Sequence, residues 1–130
     1  MPLIDTPLLR VLSGSLDVNA FRQKLIASNL ANVDTPGYKT RDLDFHQALA
    51  TAAAATEELD VALTSATLTS AALTPVARKL HGLIERPDGN NVSADREGLL
   101  LATTQLRFTL SAQLVRNEFH KILTAIREGA

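Results

Sequence analysis

The sequence predicts an all-α chain in which long N- and C-terminal helices pair as an antiparallel coiled coil around a weakly structured Ala/Thr-rich centre. Three observations carry that expectation. Apolar residues recur at steps of three, four and seven near both ends, which is the helical period. Leu and Ala dominate, while aromatic residues make up only 4% of the chain. Between the two ends the period is lost. The 130 residues suffice for one domain. It divides into an N-terminal helix at about 7–33, a turn and arm at 34–45, a variable centre at 46–92 and a C-terminal helix at about 93–127.

The first helix begins at Thr6-Pro7, because Thr caps well and Pro suits the first helical position. One seam runs Leu9, Leu12, Leu16, Ile26, Leu30 and Val33, and a second runs Val11, Val18, Phe21 and Leu25. Two stripes on one helix place apolar surface on more than one side, so such a helix is buried among several neighbours. Gly14 weakens it locally, by about 1 kcal/mol relative to Ala. Near its end stand Asn29 and Asn32, three apart and on one face. Buried amides need partners, and a polar seam position can fix register. Both asparagines are therefore expected to face a protein interface and to set the register between subunits.

Thr35-Pro36-Gly37-Tyr38 then forces a turn. Pro36 presets φ at the second position and Gly37 supplies positive φ at the third, the requirements of a type II turn. Thr35, preceding proline, is pushed out of helical geometry. The charged arm "KTRDLDF" follows, and "DGNN" at 88–91 is a turn cluster before the last helix. That helix starts at Ser93, with Asp95 and Glu97 in the first turn, where the helix dipole favours negative charge. Its best seam is Leu101, Gln105, Phe108, Ala112, Val115, Phe119, Ile122 and Ile126, a heptad with one polar member. Leu99, Leu100, Leu106, Leu110, Leu114 and Leu123 lie off that seam. The two helices would be roughly 40 and 50 Å long.

Chemistry is sparse. The formal charge is −1 with no basic block, which argues against nucleic-acid binding and against a polybasic membrane contact. No cysteine is present, which excludes disulfides, zinc-thiolate sites and a Cys nucleophile. The N-terminus lacks the basic region and apolar block of a secretory signal peptide, and no apolar run reaches the ~20 residues of a spanning helix. Asp42, Asp44 and His46 alternate and could share a strand face as a metal site, but a solvated connector is the simpler reading. No nucleophile–base set and no phosphate-cradling loop can be assembled, so no enzyme activity, cofactor or metal is expected.

"LIASNLANVDTPGYKTRDLDF", residues 25–45, resembles the N-terminal signature of bacterial flagellar rod and hook proteins: an Ala/Ser-Asn-Ala/Leu-x-Asn helix end followed by Thr-Pro-Gly-Tyr. The short length, "GNNVSADRE" at 89–97 and "LRF" at 106–108 are similar to the proximal rod members of that family. The resemblance implies a structural subunit of the basal-body rod, the axial drive shaft needed for motility. It implies export by the flagellar type III apparatus without a cleaved signal peptide, and polymerisation in the periplasm through paired terminal helices. Its partners would be copies of itself, other rod and axial proteins, and MS-ring and export-apparatus components. The motif residues carried over are Asn29, Asn32, Thr35, Pro36, Gly37 and Tyr38. The assembly seam expected on this basis comprises Leu12, Leu16, Ile26, Leu30, Leu101, Phe108, Val115, Phe119, Ile122 and Ile126. Two alternatives are another rod subunit and a helical export chaperone or adaptor. The latter would form a stable soluble dimer and would not need the turn.

Overall fold

Two helices dominate the structure, a computed structural model that describes residues 6–51 and 75–128. Helix α1 spans Pro7–Ala31. Thr6 caps it as the sequence requires: its Oγ1 accepts from Leu9 N at 3.2 Å, and Pro7 opens the first turn. The two-residue strand β1, Arg41–Asp42, follows the turn, and residues 45–51 are helical (α2). Asp44 Oδ1 accepts from Gln47 N at 3.1 Å and so caps α2. Strand β2, Arg78–Lys79, pairs antiparallel with β1 in the register Arg41↔Lys79. Helix α3 spans Ala94–Glu128. The expected weakly structured centre falls largely on residues 52–74, which lie outside the described residues.

The two long helices pack antiparallel. Three cross-helix hydrogen bonds set the register: Ser15 Oγ with Ser111 Oγ at 3.1 Å, Gln23 Nε2 to Gln105 Oε1 at 2.9 Å, and Asn29 Nδ2 to Glu97 Oε2 at 2.9 Å. Extended to the start of α1, this register puts Pro7 level with Phe119. The remainder of α3, to Glu128, runs past α1 by roughly 13 Å at 1.5 Å per residue.

The face of α3 turned towards α1 differs from the expected seam. Its buried residues are Glu97, Thr104 and Ser111, at strict seven-residue steps. Phe108, Val115 and Ile122 are half-buried beside them, whereas Leu101, Phe119 and Ile126 are exposed. On α1, Leu12 and Ile26 are buried, Leu16 and Leu30 half-buried, and Asn19 and Asn29 fully enclosed. The correction has a simple cause. Large side chains hold two helix axes apart, whereas Ser and Thr allow close approach, and Ser15–Ser111 and Asn29–Glu97 bond across the gap. The pairing stripe of α3 is therefore the small polar one, and its leucines point away.

The expected helix end at Val33 also shifts. Asn32 is the C-cap, and its N–H bonds Asn29 O at 3.1 Å. The buried apolar side chains among the described residues are Leu9, Leu12, Val18, Ile26, Leu43 and Val92. Two of these, Leu43 and Val92, come from the segments flanking the turn.

Candidate assembly site

The region around the turn is held by asparagines. Gly37 has φ +72°, and Tyr38 N donates to Thr35 O at 3.2 Å, closing the Thr35–Tyr38 turn. Asn32 completes the helix end locally: its Nδ2 donates to Ser28 O at 2.8 Å, and its Oδ1 accepts from Thr35 Oγ1 at 3.1 Å. The first of these bonds satisfies a carbonyl that the terminating helix leaves without a partner.

Asn29 does more. It is 1% exposed and its amide has no capacity left over. Nδ2 donates to Arg41 O at 2.8 Å and to Glu97 Oε2 at 2.9 Å. Oδ1 accepts from Arg41 N at 3.0 Å and from Tyr38 Oη at 3.3 Å. Paired with both polar groups of one residue, the side chain acts as a short strand partner for the arm, while its second hydrogen ties the arm to α3. An amide offers two donors and two acceptor positions, and all four are used inside the chain. The expectation that Asn29 faces another subunit is therefore corrected: it sets the register of α1, the arm and α3 within one subunit.

The "DGNN" cluster, placed in the variable centre by the sequence, supplies the other half of the clamp. Asn90 is fully buried, and its Nδ2 reaches the carbonyls of Asn32 (3.0 Å), Val33 (3.1 Å) and Thr35 (2.8 Å). Its Oδ1 accepts from Val92 N at 2.7 Å. Asn91 Oδ1 accepts from Thr40 N at 2.7 Å, and Asn91 O accepts from Thr40 Oγ1 at 3.1 Å. Gly37 N donates to Asp88 O at 2.9 Å. A Cβ built on Gly89 would lie 3.6 Å from Gly37 Cα, so the two glycine turns are in van der Waals range. Sequence reading missed Asn90 and Asn91 as site residues because amide clamps leave no hydrophobic period. Their signal was the pair itself, directly after Asp-Gly, within the "GNNVSADRE" stretch that carried part of the resemblance.

Ion pairs lock the same junction. Arg22 grips Asp42 with two bonds, Nε–Oδ1 at 3.0 Å and Nη2–Oδ2 at 2.7 Å, both side chains being largely buried. Arg96 pairs with Glu97 Oε1 at 2.7 Å and stands 3.8 Å from Asp42 Oδ2. The planar guanidinium of Arg22 suits this fork-on-fork geometry with a carboxylate. Asp42 is thus committed to arginine and Asp44 to capping α2, which explains both acids of the alternating "DLDFH" stretch without a metal. Further along, Arg107 of α3 lies 4.6 Å from the centroid of the Phe45 ring, fastening the arm to the middle of α3.

The expected assembly-seam residues divide into two sets. Leu12 and Ile26 are buried inside the subunit, with Leu16, Leu30, Phe108, Val115 and Ile122 half-buried. Leu101, Phe119 and Ile126 are exposed, as are the off-seam Leu99, Leu106, Leu110, Leu114 and Leu123. All eight lie on α3. Between Gly98 and Val115 the only charge on that helix is Arg107, already placed over Phe45. Among the described residues, no helix is long and apolar enough to cross a membrane.

The geometry joins the two stretches that carried the resemblance, 25–45 and 89–97, into one clamped unit. The family model described as flagella basal body rod protein matches residues 9–39, which run through α1 and the turn. The chain is 33% identical to the flagellar basal body rod protein FlgB of Escherichia coli (strain K12), covering 93% of this chain and 94% of that protein. It is 30% identical to the FlgB of Salmonella typhimurium (strain LT2), with the same coverage. It is 33% identical to the FlgB of Cereibacter sphaeroides, covering 92% of this chain and 93% of that protein. Identity at this level over nearly the full length means that the chain belongs to the FlgB family of flagellar basal body rod proteins.

Proposed function

We propose that this structural rod subunit assembles with copies of itself, and with other rod and axial proteins, through the outward face of α3. The observation that carries the reading is the inversion of that helix. Its polar stripe faces α1, while its large apolar side chains, such as Leu106 at 70% exposure, face outward. A face so poor in charge and so rich in exposed leucine is the kind of surface that marks a protein contact. The asparagine clamp holds the turn and arm rigid, so the leucines of each copy stand at one fixed angle to the rest of the subunit. A repeated structure needs that constancy.

The finer reading rests on the resemblance at residues 25–45. The subunit leaves the cytoplasm through the flagellar type III apparatus without a cleaved signal peptide, and it joins the rod in the periplasm next to MS-ring and export-apparatus components. Its role there is mechanical, as part of the drive shaft on which motility depends.

The test is the double substitution Leu106→Glu, Leu110→Glu. Both side chains are more than half exposed in the subunit, so its fold is expected to survive. In cells lacking the native gene, the variant should be secreted yet leave basal bodies without rods and cells without swimming. Normal rods built from the variant would remove the α3 face from the assembly.

A further inference from the structure

The small β1–β2 sheet has one closed edge and one open edge. Its register pairs Arg41 with Lys79, and Leu80 N donates to Thr40 O at 2.9 Å. In that phase of an antiparallel ladder the main-chain groups of Arg41 and Lys79 turn away from each other. On β1 those groups are taken up by Asn29, which binds both Arg41 N and Arg41 O. On β2 nothing corresponds. The N–H and C=O of Lys79 make no hydrogen bond among the described residues, and neither do those of Ala77 and His81, the alternate positions on either side. A strand edge with free main-chain groups is a template for a further extended chain.

The same ribbon carries charge that the subunit leaves unmatched. Arg41 and Lys79 are exposed and stand directly opposite each other on one face, where like charges repel. Neither has an acidic partner among the described residues. Arg78, on the other face, meets the neutral Gln47, its Nη2 donating to Oε1 at 3.0 Å. The acid of β1, Asp42, is buried and held by Arg22. The basic residues of the two strands are remote in sequence, so no basic block announces them. The pairing of β1 with β2 brings them together.

We infer that β2 receives, along its open edge, an extended acidic segment of another protein, whose carboxylates lie over Arg41 and Lys79. The added strand supplies main-chain hydrogen bonds to Lys79, and its alternate side chains supply the selectivity. Carboxylates between Arg41 and Lys79 also relieve the repulsion that the lone subunit carries. Cations on a strand edge turn away apolar and basic strands, so the charge that admits one partner excludes others. A membrane fits less well. Headgroup recognition uses clusters of about 4–8 Lys and Arg, whereas Arg41, Arg78 and Lys79 are fewer and divide between two faces of the ribbon. The surface is separate from the leucine face of α3, and the inference does not depend on that face.

The probe is a short synthetic peptide alternating glutamate with valine, titrated at low salt against the purified full-length protein. Fluorescence anisotropy reads the binding, and hydrogen exchange reads the site. The peptide should bind, slow exchange at the Lys79 amide, and bind less well as salt is raised. The double variant Arg41→Gln, Lys79→Gln removes two exposed side chains that hold nothing within the subunit, so its helical content should be unchanged. It should bind the peptide on the order of tenfold more weakly. A peptide with glutamine for each glutamate should weaken similarly, and one N-methylated throughout should not bind. Equal binding by either control peptide, an unaffected double variant, unchanged exchange at Lys79, or no binding at millimolar peptide would overturn the inference. So would phosphatidylglycerol vesicles that bind where the peptide does not, which would make the ribbon a membrane contact. Protection of Lys79 by self-association without peptide would also overturn it, because the occupant would then be a second copy.

Discussion

Replacing Asn29 by leucine keeps the volume and helix propensity of the site but removes four hydrogen bonds at once. The bond to Glu97 is charge-assisted and fully buried, and its loss costs about 1.5–3 kcal/mol. The two bonds to the Arg41 backbone add about 1 kcal/mol each, and the longer one from Tyr38 adds little. The sum, roughly 3–5 kcal/mol, is a large part of the ~5–15 kcal/mol that holds a typical domain together. With a urea slope of about 1–3 kcal/mol/M, the unfolding midpoint should fall by roughly 2 M. Circular dichroism during a urea titration reads this, and hydrogen exchange at the Arg41 amide reports the local break directly. Asn29→Asp should be at least as harmful, because it sets a second carboxylate against the enclosed Glu97. A loss below ~1 kcal/mol in Asn29→Leu, or unchanged protection at Arg41, would refute the claim that this side chain joins α1, the arm and α3.

A Cβ added at Gly37 meets no neighbour within 4 Å, so the cost of Gly37→Val comes chiefly from the φ of +72°, about 1–3 kcal/mol. Thermal melting should show the loss, and motility should fall as the arm is misdirected. Thr104→Val should act in the opposite direction. Thr104 Oγ1 is buried and has no hydrogen-bond partner among the described residues, so exchanging the hydroxyl for a methyl should raise the melting temperature by a few degrees. A drop would mean that the hydroxyl is satisfied in solution.

Much of the architecture could be read from residue order alone, because it depends on local rules. Thr6-Pro7 starts a helix and Thr35-Pro36-Gly37-Tyr38 makes a turn wherever such residues occur in this order, since caps, fixed φ and positive φ are properties of neighbours in the chain. The long helical periods likewise announced α1 and α3, and the Asn-x-x-Asn helix end with its turn was enough to suggest the family. Two things only the tertiary structure decided. One was which stripe of α3 meets α1. Periodicity shows that several stripes exist, but the winner depends on how closely two axes can approach, and there Glu97, Thr104 and Ser111 displace the larger Leu101, Phe119 and Ile126. The other was the use of the amides. A hydrogen bond between Asn90 and Val33, or between Asn29 and Glu97, joins residues more than fifty positions apart. Such a bond leaves no period in the sequence, because it depends on direction and distance in space rather than on spacing along the chain.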